Sequence, residues 1–212
     1  MPILKTFVFN SFSVNTYILS DETGEALIVD PACSNEKEFN SLTEYIETNK
    51  LVPVKIINTH GHIDHIVGAC RVMGHYNIPF LIHSGEQYNL DKAKQTALIF
   101  GFEIDEVPVP SGFLNEGDKI AFGNSFVEAI HVPGHSEGSL VYYFIEGNLI
   151  IAGDVLFRGS VGRSDLPGGN HHTLITGIKN KLLALPGNTT VYCGHGPTTT
   201  IAAEHDTNPF LV

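Results

Sequence analysis

His60-Gly61-His62-Ile63-Asp64-His65 follows the apolar run Val54-Lys55-Ile56-Ile57-Asn58 and the single residue Thr59. The run reads as a β-strand ending at Asn58. The stretch from Asp64 to His75 reads as a helix with Ile66, Val67, Cys70 and Met73 inward and Gly74 near its end. Alternate residues on an extended strand tip share a side, so His60 and His62 can meet one cation. The turn into the helix redirects Asp64 and His65 toward a neighbouring position. Imidazole and carboxylate suit zinc, iron and manganese, and the chain has no Cys-x-x-Cys pair of the kind that builds a structural zinc knot.

Four more predicted strands end in a turn carrying Asp or His. Ala26-Leu27-Ile28-Val29 leads into Asp30, and Ala129-Ile130-His131-Val132-Pro133-Gly134 leads into His135. Leu149-Ile150-Ile151-Ala152-Gly153 leads into Asp154, and Val191-Tyr192-Cys193-Gly194 leads into His195. Loops placed by a rigid sheet are where binding chemistry concentrates. Glycine before a polar residue (Gly134, Gly153, Gly194) permits a sharp turn. Seven of these polar residues, all but Asp30, suit two cations. His60, His62 and His135 would hold the first, Asp64, His65 and His195 the second, and Asp154 would bridge them.

The remaining elements fit a layered α/β domain spanning 1–212. Ile3 to Phe9 and Thr16 to Ser20 read as strands. Glu36 to Asn49 reads as a helix opened by an Asn35/Glu38 capping box. Pro79 to His83 is a strand, Glu86 to Phe100 a helix, and Leu140–Ile145 with Asn148–Ala152 a hairpin. His171 to Ala184 reads as one helix capped by Asn170, Thr189 to Cys193 as the last strand, and a short helix follows Thr198.

Composition bounds the function. Lys plus Arg is 12 against Asp plus Glu 23, a balance of −11, which disfavours nucleic acid as a partner. No apolar run reaches the roughly 18 residues that span a bilayer, and Met1 to Phe12 reads as a strand, not a signal peptide. Cys33, Cys70 and Cys193 are too few and too widely spaced for a disulfide framework, and Cys33 and Cys70 read as core residues. The expectation is a cytoplasmic globular protein without a membrane partner. Its oligomeric state leaves no mark on the sequence. Eleven histidines are the compositional exception.

The His-x-His-x-Asp-His run, Pro133-Gly134-His135, Gly153-Asp154 and Gly194-His195 resemble the metallo-β-lactamase superfamily, in order along the whole chain. The resemblance implies a four-layer αββα sandwich with a dinuclear site at one edge between the sheets. Gly153-Asp154-Val155-Leu156-Phe157 and Tyr192-Cys193-Gly194-His195-Gly196 look most like the glyoxalase II branch. Gly162-Arg163-Ser164-Asp165-Leu166-Pro167-Gly168-Gly169, with Asn208-Pro209-Phe210, is similar to its short bacterial members. Full-length glyoxalase II enzymes add a C-terminal helical region that grips glutathione. The present sequence runs 17 residues past His195 (212 − 195), and Cys193 stands where relatives commonly have proline. The resemblance therefore carries the metal site and leaves the thiol of the substrate open.

The implied reaction is hydrolysis of an acyl-thiol such as S-lactoylglutathione. Two divalent cations, zinc first with iron or manganese as alternatives, would activate a shared water between Asp64 and Asp154 and polarise the carbonyl. Asp30 is placed to orient a metal-bound imidazole, or else is a turn residue before Pro31. Arg163 matches the basic substrate-contact position of the glyoxalase II pattern, or else pairs with Asp165. His131 reads as packed or paired, and the roles of Cys193, His171 and His172 stay open. Rival readings on the same fold are an iron-dependent persulfide dioxygenase, which binds one iron through fewer ligands, and a lactone or ester hydrolase.

Overall fold

The computed structural model describes residues 3–212. One sheet comes from the first half of the chain: β1 (Ile3–Phe9), β2 (Val14–Ser20), β3 (Glu25–Val29), β4 (Val52–Ile57), β5 (Phe80–Ile82) and β6 (Gly112–Phe113), in that spatial order. β1 to β3 are antiparallel, and β3 to β6 run parallel. Parallel neighbours need crossovers. These carry the helices α1 (Glu36–Thr48), α2 (Ile63–Ile66), α3 (Ala69–Tyr76) and α4 (Gln87–Phe100).

The second half builds β7 (Lys119–Phe122), β8 (Ser125–His131), β9 (Leu140–Phe144) and β10 (Leu149–Gly153), a two-stranded ribbon β11 (Leu156–Phe157) and β12 (Ser160–Val161), then β13 (Thr190–Cys193) and β14 (Thr199–Thr200). The second sheet has the order β14-β13-β10-β9-β8-β7, and helices α5 (His171–Gly177) and α6 (Ile201–Thr207) cover it.

Alternating side chains make the layers. In β3, Ala26 and Ile28 face α1 and α3, while Leu27 and Val29 face the second sheet. In β10, Leu149 and Ile151 join that inter-sheet core, while Ile150 and Ala152 pack under α5 and α6. Strands buried on both faces read as continuous apolar runs. Each large side chain so buried contributes roughly 1.5–3 kcal/mol. The order is helix, sheet, sheet, helix: the αββα sandwich expected. Among the described residues no helix is long and apolar enough to cross a membrane.

Several predicted elements are corrected. The helix read from Asp64 to His75 is two short ones, broken at Val67-Gly68. A Cβ on Gly68 would lie 2.5 Å from the Cys33 sulfur and 2.6 Å from the Pro31 carbonyl oxygen, so the chain turns there in close contact. The break shifts the buried face to Ile63, His65, Ile66, Ala69 and Val72, leaving Val67, Cys70 and Met73 only half-buried. Cys70 is thus not a core cysteine; Cys33 is. Asn77, at φ 52°, ends α3 one residue beyond the expected end at His75, with Gly74 near its end as read. Asn35 caps α1 by accepting from Glu38 N–H, but the Glu38 carboxylate accepts from Ser34 and Asn10 instead of completing the box. The helix after Asn170 changes at Ile178 into a π-helical turn ending at Leu182. The short strands β6, β7, β11, β12 and β14 were not anticipated.

Candidate metal centre

The five loops meet because β3 and β4 run parallel in one sheet and β10 and β13 in the other, so their C-terminal tips share an edge. The edge is stitched across the sheets. Leu140 N–H donates to the Thr59 carbonyl at 2.8 Å, and Asn15 N–H to the Gly194 carbonyl at 2.7 Å. Asn58 Nδ2 donates to the carbonyls of His60 (3.2 Å) and His65 (3.1 Å), shaping the histidine loop. Asn15 Nδ2 donates to the carbonyls of Cys193 and Gly196, both at 2.9 Å. The Tyr17 hydroxyl also donates to Cys193, whose part here is a backbone acceptor in a buried strand end.

Gly134 and Gly153 adopt positive φ, 128° and 49°, as their turns require. Gly194 is needed for space instead. A Cβ there would sit 2.1 Å from Asp154 Oδ1.

All seven predicted ligands converge. His60, His62 and His135 form one group, with ring centroids 4.6–4.8 Å apart. Asp64, His65 and His195 form the other; the two imidazoles face each other Nε2 to Nε2 at 3.3 Å, with Asp64 Oδ2 at 3.7 and 3.5 Å from them. Asp154 stands between the groups. Its oxygens lie 3.4 Å from His65 Nε2, 3.4 Å from His195 Nε2 and 3.7 Å from His135 Nε2.

The outer ring nitrogens are engaged. His135 Nδ1 donates to the Arg163 carbonyl at 2.8 Å and His195 Nδ1 to the Phe12 carbonyl at 2.9 Å. His65 Nδ1 donates to Asp30 at 3.0 Å, and His60 Nδ1 to the Thr59 hydroxyl at 3.0 Å. That hydroxyl donates in turn to Asp30 at 2.6 Å, and Asp30 also accepts the Thr59 N–H at 2.7 Å. With Nδ1 so engaged, each Nε2 faces inward, where its lone pair would be available to a cation. The Nε2 atoms of His60 and His135 and Oδ1 of Asp154 are buried without a hydrogen-bond partner. Buried polar atoms are rarely left so. A pair of cations is what these atoms fit.

Asp30 is 1% exposed and holds a left-handed φ of 49°, a strain retained where one carboxylate serves both histidine groups. A triad of Asp30, His60 and His65 is also close-knit, but the Asp30 oxygens are already taken by Thr59 and His65.

Electrostatics separates the groups. Burial and the imidazoles of His65 and His62 hold His60 well below the usual histidine range. His62 is pushed down to about 4, by burial and then by His135. Burial also opposes charge on His65 and His195, but carboxylates outweigh it. Asp154 and Asp64 raise His65 well above its ordinary value, and hydrogen bonds to both raise His195 to about 9. Burial works against the Asp154 charge, yet His65 and His195 hold its carboxyl well below the carboxylate range. The second group holds protons that a cation displaces.

The other predicted residues are not among the converging side chains, though Arg163 lines the cleft into which those groups open. The Arg163 side chain is 59% exposed and pairs with Asp165, Nε and Nη2 donating at 2.9 and 2.8 Å. His171 and His172 are exposed; His171 reaches Ser164, and His172 lines a separate groove with Pro133 and Lys181. His131 stacks on His83 and donates to the Glu137 carbonyl.

Sequence reading missed Thr59, Glu86 and one wall of the site. Glu86 is wholly buried at the start of α4. Its Oε2 accepts from Gly61 N–H (2.8 Å) and Asn89 Nδ2 (2.7 Å), and its Oε1 from the Ser136 hydroxyl (2.5 Å) and Gly138 N–H (2.8 Å). One carboxylate thus ties the His60–His62 loop to the loop after His135. The groups open into a cleft of about 640 Å³, walled by α4, Phe12 and Leu166-Pro167.

Residues 10–195 match the model of the Metallo-beta-lactamase superfamily. The chain is 40% identical to a probable metallo-hydrolase, YqgX of Bacillus subtilis, over 92% of this chain and 90% of that one. It is 32% identical to the hydroxyacylglutathione hydrolase GloC of Haemophilus influenzae, over 95% and 94%. Among solved structures it is similar to the BLEG-1 B3 metallo-beta-lactamase (TM-score 0.90, 35% identity, 99% and 100% covered) and to TTHA1623 in a di-iron-bound form (TM-score 0.85, 35%, 100% of both). The converging side chains form a dinuclear metal-binding hydrolase site. The chain belongs to the metallo-beta-lactamase superfamily.

Proposed function

We propose that the protein hydrolyses an acyl-thiol, with His60, His62 and His135 holding one divalent cation, Asp64, His65 and His195 a second, and Asp154 shared. The carrying observation is the set of inward Nε2 atoms whose Nδ1 partners are already fixed, beside orphaned buried atoms that only a cation suits. Five neutral imidazoles and two carboxylates leave two divalent ions with net positive charge. When bound, such ions activate water and polarise a carbonyl.

The chain does the rest. Asp64 and Asp154 orient the attacking water. Asp30 and Thr59 keep the imidazoles in one tautomer. The wall of α4 shields the reacting carbonyl from bulk solvent. A thiolate leaves readily, so no separate acid is required. Zinc is the expected metal, and the di-iron form of TTHA1623 keeps iron in view. The name of the Haemophilus relative supports glutathione as one thiol to test.

The test is turnover of S-acyl thiols by metal-loaded protein, read as released thiol, with a β-lactam and glutathione persulfide as comparison substrates. Thioester turnover is the expected result. Ring opening of the β-lactam alone, or oxygen uptake with the persulfide alone, would overturn the reading.

A further inference from the structure

The wall contributed by α4 is not explained by the metal ligands. This helix turns Leu90, Ala93 and Ala97 into the core and lines the cleft with Tyr88, Lys92, Thr96, Ile99 and Phe100. Positions 88, 92, 96 and 99 follow helical spacing, so they form one stripe. The stripe is graded. At its C-terminal end the Phe100 ring meets Phe12 edge-on at 5.6 Å, and the Phe12 carbonyl holds His195. The apolar end therefore adjoins the Asp64–His65–His195 group. Ile99 is 70% and Phe100 47% exposed there, and apolar surface left open in a cleft marks a binding surface.

Lys92 lies about 10 Å from Ile99 along the helix axis. Two fixed cations line the cleft, Lys92 and Arg163. Arg163 is already satisfied by both oxygens of Asp165. Lys92 is exposed and has no ion pair or side-chain hydrogen bond among the described residues. In a chain of balance −11, a cation left uncompensated in the cleft selects an anion.

We propose that Lys92 is the anion anchor of this cleft and that the substrate is an amphiphilic thioester, with an aliphatic or aromatic group against Phe12, Ile99 and Phe100 and a carboxylate on Lys92. The proposal rests on the hydrolase reading. The reaction needs no other partner: the oxygen of water bonds to the carbonyl carbon, the carbon–sulfur bond breaks, and the thiol and a carboxylate leave.

The probes are S-benzoyl-3-mercaptopropionate, its neutral methylamide, and the S-acetyl analogue, on the metal-loaded enzyme. An exposed ion pair is worth up to about 1 kcal/mol, so wild type should prefer the carboxylate over the amide by about fivefold in kcat/KM. Lys92→Met keeps the stem and should bring that ratio near one, chiefly through KM. Lys94→Met, on the exposed side of α4 away from the cleft, should leave the preference intact. Salt should shrink the preference in wild type only. Ile99→Ser should reduce the advantage of benzoyl over acetyl.

A ratio unchanged in Lys92→Met, or lost in Arg163→Ala instead, would overturn the proposal. Calorimetry with the uncleavable thioether S-benzyl-3-mercaptopropionate and its amide separates the two claims. Lys92-dependent binding without turnover sinks the thioester reaction alone. Turnover with Lys92-independent binding sinks the anchor alone.

Discussion

Replacing Glu86 by Gln tests how the ligand loops are held. The change keeps size and shape but exchanges one acceptor oxygen for an NH2. All four partners of this carboxylate act as donors. If the NH2 takes the Oε2 position, it confronts Gly61 N–H and Asn89 Nδ2, neither of which can accept there. If it takes the Oε1 position, the Ser136 hydroxyl can rotate to accept, and only Gly138 N–H is stranded. The second orientation wins. One stranded buried N–H costs about 1–3 kcal/mol, and the surviving bonds lose charge assistance. Relief of a buried charge offsets part of this, leaving a net loss of about 2 kcal/mol. For a chain of this length that is a fall of about 4–8 °C in Tm. Because the stranded group is at Gly138, the damage falls beside His135. Competition with a chromogenic chelator should show the His60–His62–His135 position losing its metal before the other. A Tm within about 1 °C of wild type, or weakening confined to the Asp64–His65–His195 position, would show that Glu86 does not hold these loops.

Three further outcomes are expected. Thr59→Val removes the hydroxyl between His60 Nδ1 and Asp30; metal affinity measured by chelator competition should fall about tenfold or more, and unchanged affinity would contradict the relay. Gly194→Ala drives a methyl into Asp154 Oδ1 and to within 3.0 Å of His65 Cε1; the chain should keep its far-ultraviolet circular dichroism while metal content falls, and retention of both metals would count against Asp154 as the shared ligand. Burial pushes the Cys33 thiol up to about 12. The unfolded thiol ionises first, near pH 8.5, so it binds fewer protons than the folded one and stability falls as pH rises from there toward 12. Cys33→Ser should flatten that alkaline limb in urea titrations, and an unchanged limb would place the loss elsewhere.

The αββα layering and the candidate metal-binding clusters were legible because each rests on a local signal: continuous apolar strands, each followed at once by Asp or His. The Asp30 carboxylate was readable from its strand tip, though not its reach to both groups, which depends on Thr59 and on the pairing of β3 with β4. Gly68 shows the opposite case. Helical periodicity runs through Asp64–His75, and only contact with Cys33 and Pro31 breaks it. Glu86 carries no sequence signal, since its four partners come from three separate segments. The cleft face of α4 reads as an exposed face until Phe12 and the Leu166-Pro167 loop close around it. Arg163 was singled out by its position after Asp154 and its match to the glyoxalase II pattern, and it does line the cleft, paired with Asp165; no motif marks Lys92, which lines the same cleft.

The most direct measurement is metal content per chain, by elemental analysis of protein purified without added metal and again after loading with excess zinc and removal of free ions. Close to two ions are expected after loading, and a drop toward one when Asp64 and His195 are both replaced by Ala. Saturation at one ion in the wild-type chain, or two ions retained without Asp64 and His195, would contradict the two-cation site.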